Sequence, residues 1–205
     1  MKNLFLIFFL ASFAVFAQEN SNYTISINGE DFNYNLGDDF TYDVKKKGPL
    51  NIKISQNEML TFNDGIVRFS HSKNFPVSET EIEDGIKQIS AIGSTGIGVI
   101  IQEYQGIDPS FMLDLMLNEV TKESIEYGYE ETQTPFELTL KDGKHLKGKK
   151  SLLEYQGSVD EWTILSYSWK DAGVLIITMS VDETNMNSEN EFIQEFFDTL
   201  EILVD

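Results

Sequence analysis

The side chains best able to do chemistry are acids, and their number is the difficulty. The chain of 205 residues carries 34 Asp and Glu against 15 Lys and Arg, a formal net charge of −19. One acidic cluster, Glu79, Glu81, Glu83 and Asp84, follows Pro76; another, Glu126, Glu130 and Glu131, neighbours Tyr127 and Tyr129. A hydrolase working through paired carboxylates needs two of them held ~5–10 Å apart across a cleft. No spacing here selects such a pair, and a solvated acidic face is the simpler reading. The run Asp182-Glu183-Thr184-Asn185-Met186-Asn187-Ser188-Glu189 offers hard oxygen ligands from Asp182, Glu183, Asn185, Asn187 and Glu189, the chemistry that calcium takes. It lacks the regular Asp-x-Asp-x-Asp-Gly spacing of a calcium loop. Asp38-Asp39 near Asn35 is a fainter version of the same idea.

Two histidines, His71 and His145, are the only neutral-pH acid–base groups. They lack paired spacing; His71 ends a strand pattern and reads as a lone surface histidine, and His145 sits among lysines that would repel a cation. Gly93-Ser94-Thr95-Gly96-Ile97-Gly98 has neither the Gly-x-Ser-x-Gly of a nucleophile elbow nor the Lys-Ser/Thr ending of a phosphate loop, and reads as a hairpin turn. There is no cysteine, which excludes disulfides, thiol redox and cysteine nucleophiles. No catalytic residue and no cofactor is expected. Such acidity makes nucleic acid and anionic membranes poor partners.

Eight of the basic residues sit in two turns: Lys45, Lys46 and Lys47, and Lys141, Lys144, Lys147, Lys149 and Lys150. The second group could dock an acidic partner; lysines also guard strand edges against unwanted pairing. Tyr104, Tyr127, Tyr129, Tyr155, Tyr167, Trp162 and Trp169 could include a stacking platform, though most read as sheet and core residues.

The elements that must position these groups are mostly strands. Residues 149–156, 161–169 and 173–181 alternate with period two and are rich in β-branched and aromatic residues, which predicts a central antiparallel meander over 148–181. Asn28-Gly29 predicts a hairpin between residues 23–27 and 31–36, and Phe40–Val44 and Leu50–Ser55 read as further strands. Hairpins are also expected at Asn63-Asp64-Gly65 and between residues 86–92 and 97–104, with a break at Asn74-Phe75-Pro76 and a strand at Phe136–Leu140. Asp108-Pro109 opens a helix over about 109–124, Asp108 capping and Pro109 fitting the first turn. Met112, Leu115, Met116 and Val120 are its expected inner face, with Ile107 stapled to Met112. Ser188-Glu189-Asn190-Glu191 is a capping box for a second helix over about 189–200, with Phe192, Phe196 and Leu200 inward. Residues 202–204 read as a short last strand. The class is α+β: a central antiparallel sheet flanked by two helices.

Met1–Ala17 is expected to be a secretory signal peptide, cleaved before Gln18. Its apolar run is shorter than the ~20 residues of a membrane span. The organisation expected is 1–17 signal, 18–60 an N-terminal β extension, and 61–205 the main domain, folded with the extension as one unit.

From Thr61 onward the order of elements resembles the PsbP/Mog1-like family. Ile66-Val67-Arg68-Phe69-Ser70 leads to Phe75-Pro76; a hairpin and a helix follow. Lys147-Gly148-Lys149 then starts a long meander, and an aromatic helix ends at Leu200-Glu201-Ile202-Leu203. The N-terminal strands and the polar Ser72–Asn74 are departures. The resemblance implies an α/β/α sandwich in a family that mostly binds proteins. The expectation is therefore an exported, non-catalytic binding or accessory protein with a protein partner in the envelope or outside the cell. The alternative is a small-molecule or calcium-binding protein of the periplasm.

Overall fold

The computed structural model describes residues 21–44, 48–94, 96–181 and 187–204. Strands β1 (Tyr23–Ile27), β2 (Glu30–Tyr34) and β3 (Ile52–Gln56) form a small antiparallel sheet in the order β2-β1-β3. Asn28 and Gly29, at φ 53° and 89°, make the two-residue turn that matches strand twist. Phe40–Val44 is not a strand. The rings of Phe40 and Tyr42 instead pack on Phe32, with centroids 5.5 and 5.7 Å away. Ring packing, not backbone pairing, occupies this stretch.

Asparagines fasten the small sheet to its neighbours. The Asn22 carboxamide accepts from the Thr61 amide at 2.7 Å and donates to the Thr61 carbonyl at 3.2 Å. Asn57 accepts from the Thr24 hydroxyl at 2.7 Å.

The chain continues through β4 (Met59–Asn63), β5 (Val67–Ser72), β6 (Val77–Glu83), β7 (Ile86–Ile92) and β8 (Gly98–Gln105). A 3-10 turn (Pro109–Met112) leads into α1 (Leu113–Tyr127), followed by β9 (Glu130–Thr139), β10 (His145–Tyr155), β11 (Ser158–Trp169), β12 (Ala172–Val181), α2 (Asn187–Thr199) and β13 (Glu201–Ile202). Seven strands make one antiparallel sheet in the order β6-β7-β8-β12-β11-β10-β9, and β13-β5-β4 make a third sheet. The expected meander is its β10–β12 portion. Strand β6 was not expected, because its residues are almost all exposed; it is an edge strand, where charge discourages pairing with another chain. Strand β9 begins six residues before the expected Phe136. It tolerates Pro135 because it is the opposite edge.

Alternation divides the core. Val174 and Ile176 of β12 join Val67, Phe69, Val99, Ile101, Leu165, Phe192 and Phe196 in one cluster. Leu175 and Ile177, their neighbours on the other face, join Tyr104, Ile164 and Leu117 in a second. Thus α2 and β5 pack on one side of the sheet and α1 on the other. The helix α1 runs to Tyr127, past the expected stop near Ser124, and Gly128 at φ 116° caps it. Its inward residues are Leu113, Met116, Leu117, Val120 and Thr121, so Leu115 lies outside at 62% exposure rather than on the inner face. Leu117 is fully buried, worth ~2 kcal/mol of transfer free energy. Gly173 lets the helix start come this close, since a Cβ there would lie 2.5 Å from Pro109 Cδ. Asp108 caps the 3-10 turn by accepting from the Ser110 amide at 2.9 Å, and also takes the Ser168 hydroxyl. The second helix starts at Asn187, a turn fragment earlier than its capping box suggests.

Candidate functional site

The most perturbed ionisable groups form a buried cluster that sequence reasoning missed. Lys87 of β7 stands directly across from Glu103 of β8, and its ammonium lies 3.0 Å from the Glu103 carboxylate. The same ammonium is hydrogen-bonded to Asp64 and lies 3.7 Å from Glu79. Asp64 is held by the β4–β5 turn, where its other oxygen accepts from the amides of Ile66 and Val67, each at 3.0 Å. Only 8% of the Asp64 side chain and 4% of the Glu103 side chain are exposed. One lysine therefore serves three carboxylates, two of them away from water.

Burial pushes the Glu103 carboxyl up to about 7, and the negative charge of Asp64 adds to the effect against the pull of Lys87. For Asp64, burial works upward but is overcome by Lys87 and the two backbone amides, which hold it below its ordinary value. Lys87 is raised because its bonds to Asp64 and Glu103 outweigh the loss of hydration. Glu103 Oε1 is buried without a hydrogen-bond partner. A proton on Glu103 removes a buried charge beside Asp64. The sequence signal was present but faint: Val99, Ile101 and Glu103 share a strand face, so a charge follows two core residues.

The other sequence-derived groups are dispersed. His71 is buried, not at the surface as expected, because the β5 alternation that buries Val67 and Phe69 carries it inward. Burial lowers its pKa, and its Nδ1 lies 3.1 Å from the Ser72 carbonyl. His145 Nδ1 lies 2.8 Å from the Thr139 hydroxyl on the neighbouring strand. Among the described residues no group of three or more His, Asp or Glu side chains is placed to hold a metal ion. The calcium-type run Asp182, Glu183, Asn185, Asn187 and Glu189 lies outside the residues whose side chains are described.

The structure divides the basic group. Lys149 reaches Asp114 of α1 at 2.6 Å, whereas Lys150, on the opposite face of β10, reaches Glu161 at 2.7 Å and lies 5.0 Å above the Phe136 ring. Lys144 pairs with Asp142 at 3.1 Å in the turn. Lys141 lines a groove of about 630 Å³ between the small sheet and β5, with Asn22, Asn35, Arg68, Ser70 and Glu201. Arg68 and Glu201 are ion-paired there.

The aromatic residues divide as well. Tyr104 is buried, donating to Gln102 at 2.6 Å, while Trp162, Tyr167 and Trp169 pack against the two cores. Tyr127, Tyr129 and Tyr155 gather where α1 ends, with Tyr155 5.2 Å from each of the other two rings. Near the helix start, Ile107 before the 3-10 turn is 41% exposed, Phe111 within it 72% and Leu115 in α1 62%.

No protein-family model matches the chain, and no curated protein matches it. A solved structure with a similar order of elements is the Saccharomyces cerevisiae Ran-binding protein Mog1p, at 12% identity and a TM-score of 0.42, over 72% of this chain and 95% of that one. The likeness is one of general topology. No helix among the described residues is long and apolar enough to cross a membrane.

Proposed function

We propose that this protein is an exported, non-catalytic binding or accessory module of the PsbP/Mog1-like α/β/α kind, which docks a protein partner of the envelope or the extracellular space. The supporting observation is the outer side of α1. Ile107, Phe111 of the 3-10 turn and Leu115 of the first turn of α1 leave large apolar side chains exposed within nine residues, Phe111 and Leu115 at 72% and 62%. The opposite side of the helix is already packed on the sheet. Large apolar side chains left exposed beside a packed helix form a docking stripe. The chemistry is arranged differently: the displaced acids Asp64 and Glu103 are enclosed with Lys87, where substrate would not reach them.

The test is the double variant Phe111→Ser/Leu115→Ser, compared with wild type by chemical cross-linking in intact cells. Loss of the cross-linked species with an unchanged melting temperature is the expected result. An unchanged cross-linking pattern refutes the docking stripe. The second reading, a ligand carrier, draws on the 630 Å³ groove with its amide, hydroxyl and guanidinium lining. It predicts a saturable rise in melting temperature with a small metabolite, or with calcium if Asp182–Glu189 binds that ion.

A further inference from the structure

The groove of about 630 Å³ beside the small sheet lies over one face of β4 and β5. Alternation along β5 turns Val67, Phe69 and His71 into the core and leaves Arg68 and Ser70 on the other face. The register sets Thr61 of β4 opposite Ser70, and Asn63 of β4 and Glu201 of β13 on either side of Arg68. These five side chains therefore share a face, and all five line the groove. The small sheet adds Tyr23, and the chain after it adds Asn35 and Leu36.

Several of these groups are held in place without being used up. The Asn63 carboxamide accepts from the Gly65 amide at 3.0 Å, and that of Asn35 from the Asn22 amide at 3.0 Å. Backbone donors thus fix both oxygens, and each NH2 group is left to donate elsewhere. Neither NH2 group has a hydrogen-bond partner among the described residues, and nor does the Ser70 hydroxyl. Arg68 is the single arginine of the sequence. Its Nη2 is tied to Glu201, which orients the guanidinium and leaves the rest of its planar fork.

Charge narrows the ligand. The chain carries −19, yet the groove is lined by two cations, Arg68 and Lys141, and two acids, Asp198 and Glu201. An ionised ligand gains no net attraction from such a lining. Oriented carboxamides, a hydroxyl and a planar guanidinium instead suit a neutral molecule rich in hydroxyl groups, each of which both donates and accepts. The C–H face of a sugar ring is apolar and packs on an aromatic or aliphatic wall, here Tyr23 and Leu36. The volume falls within the ~300–1,000 Å³ of small-ligand sites.

We propose that this groove binds a neutral saccharide, whose hydroxyl groups bond to Asn63, Arg68 and Ser70 and whose C–H face lies on Tyr23 and Leu36. The proposal rests on the ligand-carrier reading of the groove and gives that ligand its chemical class.

The probe is an array of immobilised glycans, neutral, acidic and amino-substituted, incubated with the labelled protein. Retention on neutral glycans is expected, with the free glycan titrating by calorimetry to one saturable site. Arg68→Lys, which keeps the charge and loses the fork, should weaken that titration at least tenfold, and Ser70→Ala at least threefold, with melting temperatures near that of wild type. Phe111→Ser/Leu115→Ser should leave it unchanged. Retention on no neutral glycan, or on charged glycans alone, overturns the proposal. So does full affinity in both Arg68→Lys and Ser70→Ala, which puts the sugar elsewhere. A thermal-shift panel of amino acids, nucleosides and organic acids separates the proposal from the reading beneath it. A shift that Arg68→Lys abolishes, with no glycan retained, keeps the carrier and rejects the saccharide; no shift and no retention reject both.

Discussion

Lysines occupy two very different positions on this sheet. Lys87 is itself 30% exposed, much like Lys149 and Lys150 at 37% and 28%, but its partners Asp64 and Glu103 are only 8% and 4% exposed. Lys149 and Lys150 make ion pairs of similar length, yet their partners Asp114 and Glu161 are 70% and 38% exposed. The contact geometry is alike; the surroundings differ. Water screens the β10 pairs and takes their place when they break, so they add little. Water reaches the Asp64 and Glu103 carboxylates poorly, so they are harder to satisfy once the ammonium is gone. An ion pair's length therefore says little about its weight; what its loss would leave uncovered says more.

The sharpest way to break the contrast is Lys87→Met. It leaves Asp64 and Glu103 enclosed without a cation, and the expected cost is about 3–5 kcal/mol by urea unfolding at neutral pH. A cost below about 1 kcal/mol would place Lys87 with the surface lysines and dissolve the distinction.

Glu103→Gln comes next. The folded-state value of Glu103 is raised from 4.5 to about 7. Between those values the folded chain keeps a proton that the unfolded chain has released. The contribution of Glu103 to stability is therefore complete below pH 4.5 and is lost as the pH rises through about 7. Wild type should lose stability with a slope approaching ~1.4 kcal/mol per pH unit across that window. Glu103→Gln should flatten the slope there. Parallel wild-type and variant curves would mean that Glu103 is ionised throughout.

The smallest effects belong to β10. Lys149→Ala and Lys150→Ala should each cost less than about 1 kcal/mol. Lys150→Ala should be the larger, since it also removes the cation 5.0 Å above Phe136. Added salt should shrink the Lys149 difference while leaving that of Lys87 nearly unchanged.

Most of the sheet was legible because period two is a local signal. The β10–β12 meander, the hairpins at Asn28-Gly29 and Asn63-Asp64-Gly65, and the two helices follow from alternation, turn chemistry and caps. Elements whose role depends on position were harder to read. Strand β6 looks like an acidic loop until its place at the sheet edge is known. Phe40–Val44 looks like a strand until the rings on Phe32 are seen. The outward turn of Leu115 depends on helix phase, which one apolar stripe could not settle when two overlapped. The Lys87 cluster joins residues from a turn and two strands, and strand register is not written in any one of them. The lysine group was visible in composition, yet adjacent positions in a strand point to opposite faces, so Lys149 and Lys150 part. The tyrosines were visible too, but as core candidates; only the end of α1 at Gly128 brings Tyr127 and Tyr129 beside Tyr155.

The carboxamide of Asn22 is, chemically, a spare peptide group. It makes with Thr61 the donor–acceptor pair that one strand residue makes with the next strand over. A pull on the chain at Ser21 is thus shared with β4 through the Thr61 pair as well as with Asn57 and Asn35. The first segment of the described chain is anchored like a rope cleated at the edge of the fold, and whatever is tethered there hauls on the body of the protein rather than on a loose end.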